Sequence, residues 1–325
     1  MFRLFSAVAA VALSVVAAHA DVSGNLVLYT SQPSADAQKT VNAFEAAYPG
    51  VKVKWVRGGT TQMMAKLQAE FAAGQPQPDV LLIADMVSMQ QLKQDGRLMA
   101  DPEADVSRFD PALMDPDHTY FSSKLITTGI IYNTHAKMIP TSYKDLLKTA
   151  AKGEIVMPSP LNSGAAAIQL AAITANPDLG WKYYQGLADQ GAVAQGGNGG
   201  VYKAVASGEK LYGFVVDYLP VRGKAKGAPV QFVAPKEGLT AVTEPVAILK
   251  TAKNVPAAKA FVSFLLSEKG QKLAAEMGYI PADPGVAEPA GFPPRKDITL
   301  MAFDPAKALK DNAANLKKFA SMFGG

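Results

Sequence analysis

Apolar and polar positions follow one another along the chain in a repeating order: a short apolar run, a turn of small polar residues, then a helical stretch. Leu26-Val27-Leu28-Tyr29 reads as a buried strand, and residues 30–34 as the turn after it. Residues 35–48 place Ala37, Val41, Phe44 and Ala47 at the three-to-four spacing of an amphipathic helix, which Pro49-Gly50 stops. Residues 51–56 alternate Val and Trp with Lys, the pattern of a strand with one buried face. Gly58-Gly59-Thr60-Thr61 opens a helix over 62–73, residues 79–83 form a third strand, and a helix over 86–94 ends at Gly96. Units of this kind build a parallel, doubly wound sheet, which binds ligands at the carboxyl ends of its strands.

The plan returns further on. Residues 124–132, followed by Asn133, form a long apolar run that reads as a crossing between two lobes, and 142–147 a short helix. A strand at 155–157, helices from Ser163 and over 179–188, and a Gly-rich loop at 196–200 leading into a helix over 201–207 belong to the second lobe. So do strands at 212–216, ending at Asp217-Tyr218, and at 230–233. Residues 245–249 read as the return crossing, 257–266 and 268–277 as two helices parted at Ser267, and 306–323 as an amphipathic tail packed across one lobe. The expected division is a leader at 1–20, a first lobe at 21–125 with 245–280, and a second at 126–244 with 281–325.

The leader changes the picture of location. Met1-Phe2-Arg3, an uncharged run over 4–18 and Ala18-His19-Ala20 have the order of a secretory signal, with cleavage expected after Ala20. The apolar run is shorter than the roughly 20 residues a membrane span needs. The chain has no Cys, which excludes a lipid anchor, disulfides, Cys-based metal sites and Cys nucleophiles. Its net charge of +4 is spread without a Lys/Arg block, so nucleic acid is not an expected partner. Beyond the leader only His118 and His135 remain. Neither has metal-ligand spacing, and no Gly-x-Ser-x-Gly elbow or other acid–base set is present, so an exported enzyme is the remote alternative. No cofactor or resident metal is expected.

One stretch carries candidate chemistry. Pro158-Ser159-Pro160-Leu161-Asn162 keeps the chain irregular up to Ser163, which stands at an N-cap position before Gly164-Ala165-Ala166. A helix start exposes unpaired N–H groups and partial positive charge, and small side chains let an anion approach them. An ordinary N-cap is the plainer reading. Other strand-end residues extend the candidate set to Ser31, Thr60, Thr61 and Asp85 in the first lobe and Asp217 and Tyr218 in the second. The two threonines and Asp85 also read as helix caps, Asp217 as a cap or as a partner of Arg222 or a lysine, and Tyr218 as a wall of the lobe.

The run Ala252-Lys253-Asn254, then residues 257–271 (Ala-Ala-Lys-Ala-Phe-Val-Ser-Phe-Leu-Leu-Ser-Glu-Lys-Gly-Gln), with Gly278-Tyr279-Ile280-Pro281 after it, resembles the late signature of periplasmic solute-binding proteins of ABC transporters. The branch it resembles is the ferric-iron and phosphonate/phosphate-ester group. The resemblance spans the chain after the leader. It implies a type II two-lobed clamshell, each lobe a doubly wound sheet, joined by two hinge crossings, that closes over one solute and delivers it to an inner-membrane permease. A monomer is expected. In ferric members a His in the first strand-end loop, a Glu after the third strand and a late Tyr-Tyr pair hold the metal. Here those positions read Pro33, Ala84 with Asp85 beside it, and Asp217-Tyr218, so His and one Tyr are missing. The Ser-Gly-Ala helix start that holds the accompanying anion in those relatives is matched by Ser163-Gly164-Ala165. The resemblance with these departures favours a small anionic solute over ferric iron. 2-Aminoethylphosphonate fits, its phosphonate at the Ser163 helix start and its amine paired with Asp217.

Overall fold

In a computed structural model the described residues are 22–84 and 86–324. The expected leader and Asp85 lie outside them. In chain order the elements are β1 (Gly24–Thr30), α1 (Ser34–Ala47), β2 (Val51–Arg57), α2 (Thr60–Ala72), β3 (Val80–Leu82), α3 (Met86–Gln94), β4 (Leu98–Met99) and β5 (Tyr120–Asn133). They continue with β6 (Ile155–Met157), α4 (Gly164–Ala175), α5 (Gly180–Asp189), β7 (Val193–Ala194), α6 (Asn198–Ser207), β8 (Tyr212–Val216) and α7 (Tyr218–Ala225). The last are β9 (Val230–Val233), β10 (Thr240–Leu249), α8 (Val255–Leu266), α9 (Glu268–Glu276), β11 (Ile280–Pro281) and α10 (Pro305–Phe323).

The fold is the two-lobed α/β type expected. β1 pairs in parallel with β2 and with β3 in the first lobe; β6 pairs in parallel with β7 and with β8 in the second. The lobes are joined by β5 and β10, antiparallel to each other, giving the order β2-β1-β3-β10-β5-β8-β6-β7. β5 runs through the junction: Phe121 faces Val246 on the first-lobe side, and Ile130 faces Phe214 on the second-lobe side. A third short segment adds to the two expected crossings, because Ile280 and Pro281 of β11 pair with Leu125 and Lys124.

Local chemistry explains the elements. Val51 is fully buried and Lys52 exposed, as the alternation over β2 requires. α4 is apolar almost all round and eight of its residues are buried, so it is an internal helix rather than an amphipathic one. Asn254 caps α8 by accepting from the Ala257 N–H, and Asp304 caps α10 by accepting from Ala306 and Lys307, each helix having a proline in its first turn. In the first-lobe core Phe44 packs edge-on to Phe261 at 5.0 Å; in the second, Tyr143 packs edge-on to Phe214 at 5.7 Å.

Two expectations are corrected. The glycines at 199 and 200 do not form a loop before a helix at 201; they lie in the first turn of α6, which begins at Asn198 after Gly197. α10 does not rest on one lobe. It packs against α3 of the first lobe and against α4 and α5 of the second.

Candidate functional site

Strand ends and helix starts from both lobes meet in a cleft of about 270 Å³. The first lobe contributes Ser31 after β1, Arg57 at the end of β2, Gly59 and Thr60 at the start of α2, and Ala84 after β3. The second contributes Asn162, Ser163 and Ala165 at the start of α4, and Gly197, Asn198 and Gly199 at the start of α6. Tyr218 enters from α7, and Ile126, Glu244 and Tyr279 from the junction strands or their flanks. The lobes touch: a Cβ on Gly59 would stand 2.8 Å from the Asn162 carbonyl oxygen, so only glycine permits this approach.

The walls favour negative charge. Residues at the starts of three helices, α2, α4 and α6, line this cleft with Gly and Ala among them, and a helix start carries unpaired N–H groups and partial positive charge. No side chain caps α2 or α6. Ser163 caps α4 at 3.3 Å from the Ala166 N–H. Its hydroxyl also accepts from Asn198 Nδ2 at 3.1 Å, while Asn198 Oδ1 accepts from the Val216 N–H at 3.0 Å. One asparagine thus fixes the starts of α4 and α6 against the end of β8. Across the cleft, Ser31 Oγ accepts from the Ala84 N–H at 2.8 Å, and the Arg57 guanidinium is steered by its Nε donating to the Gln32 carbonyl at 2.9 Å.

The junction supplies a different surface. Glu244 forms an ion pair with Lys124 at 2.6 Å, both side chains only 3% exposed. Burial raises the Glu244 carboxyl above its ordinary range and Lys124 opposes that rise. Lys124 lies 4.0 Å from the centre of the Tyr279 ring, on which Arg222 also rests at 4.6 Å. Tyr218 and Tyr279 stand 4.6 Å apart, and burial holds both phenols above their usual range.

Of the residues expected from sequence, Ser31, Thr60, Ser163, Ala165 and Tyr218 meet in the cleft. Thr61 and Gly164 line a separate cavity of about 170 Å³ beside α10. The cause is helical geometry: consecutive positions point roughly 100° apart, so Ala165 faces the cleft while Gly164 turns away, and Thr60 lies between the two cavities and lines both. Asp217 is corrected more deeply. It is 1% exposed and does not line the cleft. Its Oδ2 accepts from the Thr127 N–H and hydroxyl at 2.8 and 2.7 Å, and its Oδ1 from the Tyr218 N–H at 2.7 Å. It is the cap of α7 that ties the helix to β5. Arg57, Asn162, Asn198, Glu244 and Tyr279 escaped the sequence reading. Arg57 had a signal, being the last residue of an alternating strand; Glu244 had one too, as a lone acid just before an apolar run.

This convergence at the junction of two α/β lobes matches a known architecture. Residues 39–300 match the bacterial extracellular solute-binding protein family. The chain belongs to this family. As a periplasmic solute-binding protein of the ABC-transporter type, it is 29% identical over 311 residues to an uncharacterized protein of Haemophilus influenzae, covering 89% of this chain and 87% of that one. It is 26% identical to iron uptake protein A1 of Synechocystis sp., over 72% of this chain and 69% of that one. The periplasmic binding protein AfuA of Actinobacillus pleuropneumoniae, solved with fructose-6-phosphate bound, is 25% identical and superposes with a TM-score of 0.84, covering 93% of this chain and 99% of AfuA. Among the described residues no helix is long and apolar enough to cross a membrane, and no group of three or more His, Asp or Glu side chains is placed to hold a metal ion.

Proposed function

We propose that the mature protein is a periplasmic monomer that captures a small phosphonate or phosphate monoester, 2-aminoethylphosphonate in first place, and delivers it to an inner-membrane ABC permease. The observation that carries this reading is the convergence of three helix starts and Arg57, drawn from both lobes, on one cleft. An anion there meets N–H donors and positive charge from each side, so its binding draws the lobes together. The bound sugar phosphate in AfuA is in keeping with an anion of this kind. A volume of about 270 Å³ lies below the ~300–1,000 Å³ of pockets for drug-sized ligands and suits a short solute. The far end of that solute faces Glu244, which lines the cleft and takes over the amine-reading role from Asp217, whose oxygens are turned to Thr127 and Tyr218. An ammonium donating to Glu244 forms a charge-assisted hydrogen bond.

Ferric iron is the second reading, favoured by the iron uptake relative and by the oxygen donors of Tyr218, Tyr279 and Glu244. The surroundings weigh against it. Burial keeps both phenols protonated to higher pH, and the helix starts and Arg57 repel a trivalent cation. The test is calorimetric titration of refolded protein with 2-aminoethylphosphonate, inorganic phosphate, fructose-6-phosphate and ferric citrate in parallel. Tight binding of the aminophosphonate and weak binding of phosphate are expected. Binding of ferric citrate alone, with a visible tyrosinate band, would replace this reading with the second.

A further inference from the structure

An ion pair beside the cleft joins the lobes; its two charged side chains do not line the cleft, while the rings beneath it, Tyr218 and Tyr279, do. Asp36, in the first turn of α1, is 4% exposed. One of its oxygens, Oδ2, accepts from Arg222 Nη1 at 2.9 Å and from the Tyr279 hydroxyl. α1 belongs to the first lobe; α7, which carries Arg222, belongs to the second. The guanidinium rests on two rings, 4.6 Å from the centre of Tyr218 and 4.6 Å from that of Tyr279. The ion pair thus bridges the two bodies that must part for solute to enter, while the aromatic seat beneath it shields it from water.

We infer that Asp36 and Arg222, seated on Tyr279, form a latch between the lobes that exists only in the closed form and sets what fraction of the solute-free protein is closed. A contact made in one of two states shifts the equilibrium by its own free energy, and it scales the affinity for every solute that needs the closed state. In the open form both ions return to water, so the net effect is that of one charge-assisted hydrogen bond, about ten- to a hundred-fold in the closed-to-open ratio. Neither Asp36 nor Arg222 lines the cleft, so the latch acts on solutes through the closed fraction rather than by direct contact.

The chain has no Cys, so Lys54→Cys in β2 and Lys182→Cys in α5, both at exposed positions, give one spin label per lobe. Pulsed dipolar spectroscopy then reads the inter-lobe distances of the refolded, solute-free protein, and the result does not depend on which solute it takes. The parent should show a short-distance population. Asp36→Asn and Arg222→Gln should each cut its ratio to the long-distance population by about tenfold or more, and the double variant should cut it no further. Arg222→Lys, which keeps the charge, should recover part of it and serves as the folded control if either variant fails to fold. A parent without the short-distance population, single variants indistinguishable from the parent, or a double variant showing the product of the two single effects would each overturn the latch.

Discussion

Asp217→Asn separates a role in the fold from a role in the cleft. The native carboxylate uses both oxygens, Oδ2 for the two donors of Thr127 and Oδ1 for the Tyr218 N–H. The amide offers one acceptor oxygen, and its other atom becomes a donor aimed at donors. Whichever way it turns, one buried side loses its acceptor, at about 1–3 kcal/mol. The cost depends on pH. Burial outweighs the three hydrogen bonds and pushes the Asp217 carboxyl up to about 7, from an ordinary 3.8. Between those values the folded protein holds a proton that the unfolded chain has released, so this group's contribution to stability falls as pH rises through the window. The fall is roughly 4 kcal/mol at most. The parent should therefore exceed the variant most clearly near pH 5, and the gap should narrow towards pH 8. Urea unfolding of both proteins at the two pH values reads it. The calorimetric affinity ratio of 2-aminoethylphosphonate to phosphate should stay the same in the variant. A gap that widens with pH would refute the burial argument. Selective loss of the aminophosphonate at unchanged stability would return Asp217 to the cleft.

Glu244→Gln should do what Asp217→Asn does not: lower affinity for 2-aminoethylphosphonate by about tenfold or more while sparing phosphate, since a hydrogen bond between charged groups is worth about 1.5–3 kcal/mol; equal loss of both in calorimetry would contradict the amine-reading role. Gly59→Ala places a methyl 2.8 Å from the Asn162 carbonyl oxygen only when the lobes are shut. Small-angle scattering should show a smaller decrease in radius on solute binding, with the melting temperature unchanged. Ser163→Ala removes both a cap and a cleft hydroxyl, and should cost about 1 kcal/mol in urea unfolding together with about tenfold in phosphonate affinity. Lys124→Met leaves Glu244 buried and unpaired, and should destabilise by about 3–5 kcal/mol in urea unfolding at pH 7.

The regular parts of the fold were legible because periodicity is local. The alternation over β2, the spacing over α1 and the Ser163 helix start each lie within a dozen residues. Where long-range pairing decides, the sequence was silent. β5 begins at Tyr120, four residues before the apolar run, because Ser122 and Ser123 are polar side chains hidden in the sheet. Ser123 Oγ donates to the Glu244 carbonyl at 2.7 Å, a partner 121 residues away. The two carboxylates show the same limit. Asp217 follows a strand, where cleft residues are expected, yet Thr127 from a distant strand turns it inward. Glu244 sits inside a strand between Thr243 and Pro245, where cleft residues are not expected, yet the pairing of β10 with β5 shifts register at that point. A break of this kind re-aims a side chain.

The placement of the two chemistries has a mechanical consequence under the proposed function. Glu244 and Lys124 lie on the strands that join the lobes. The start of α2 belongs to one lobe and those of α4 and α6 to the other, so under the proposed function their convergence depends on closure. The anionic group is therefore the part of the solute whose interactions differ between open and closed forms, and by linkage only that difference drives closure. Under the proposed function a solute with the amine alone would be held without shutting the lobes, and inorganic phosphate would shut them without the contact that discriminates. Both ends are needed for a closed and selective complex, which is why burying an ion pair at the junction, at several kcal/mol of desolvation per ion, has a use there.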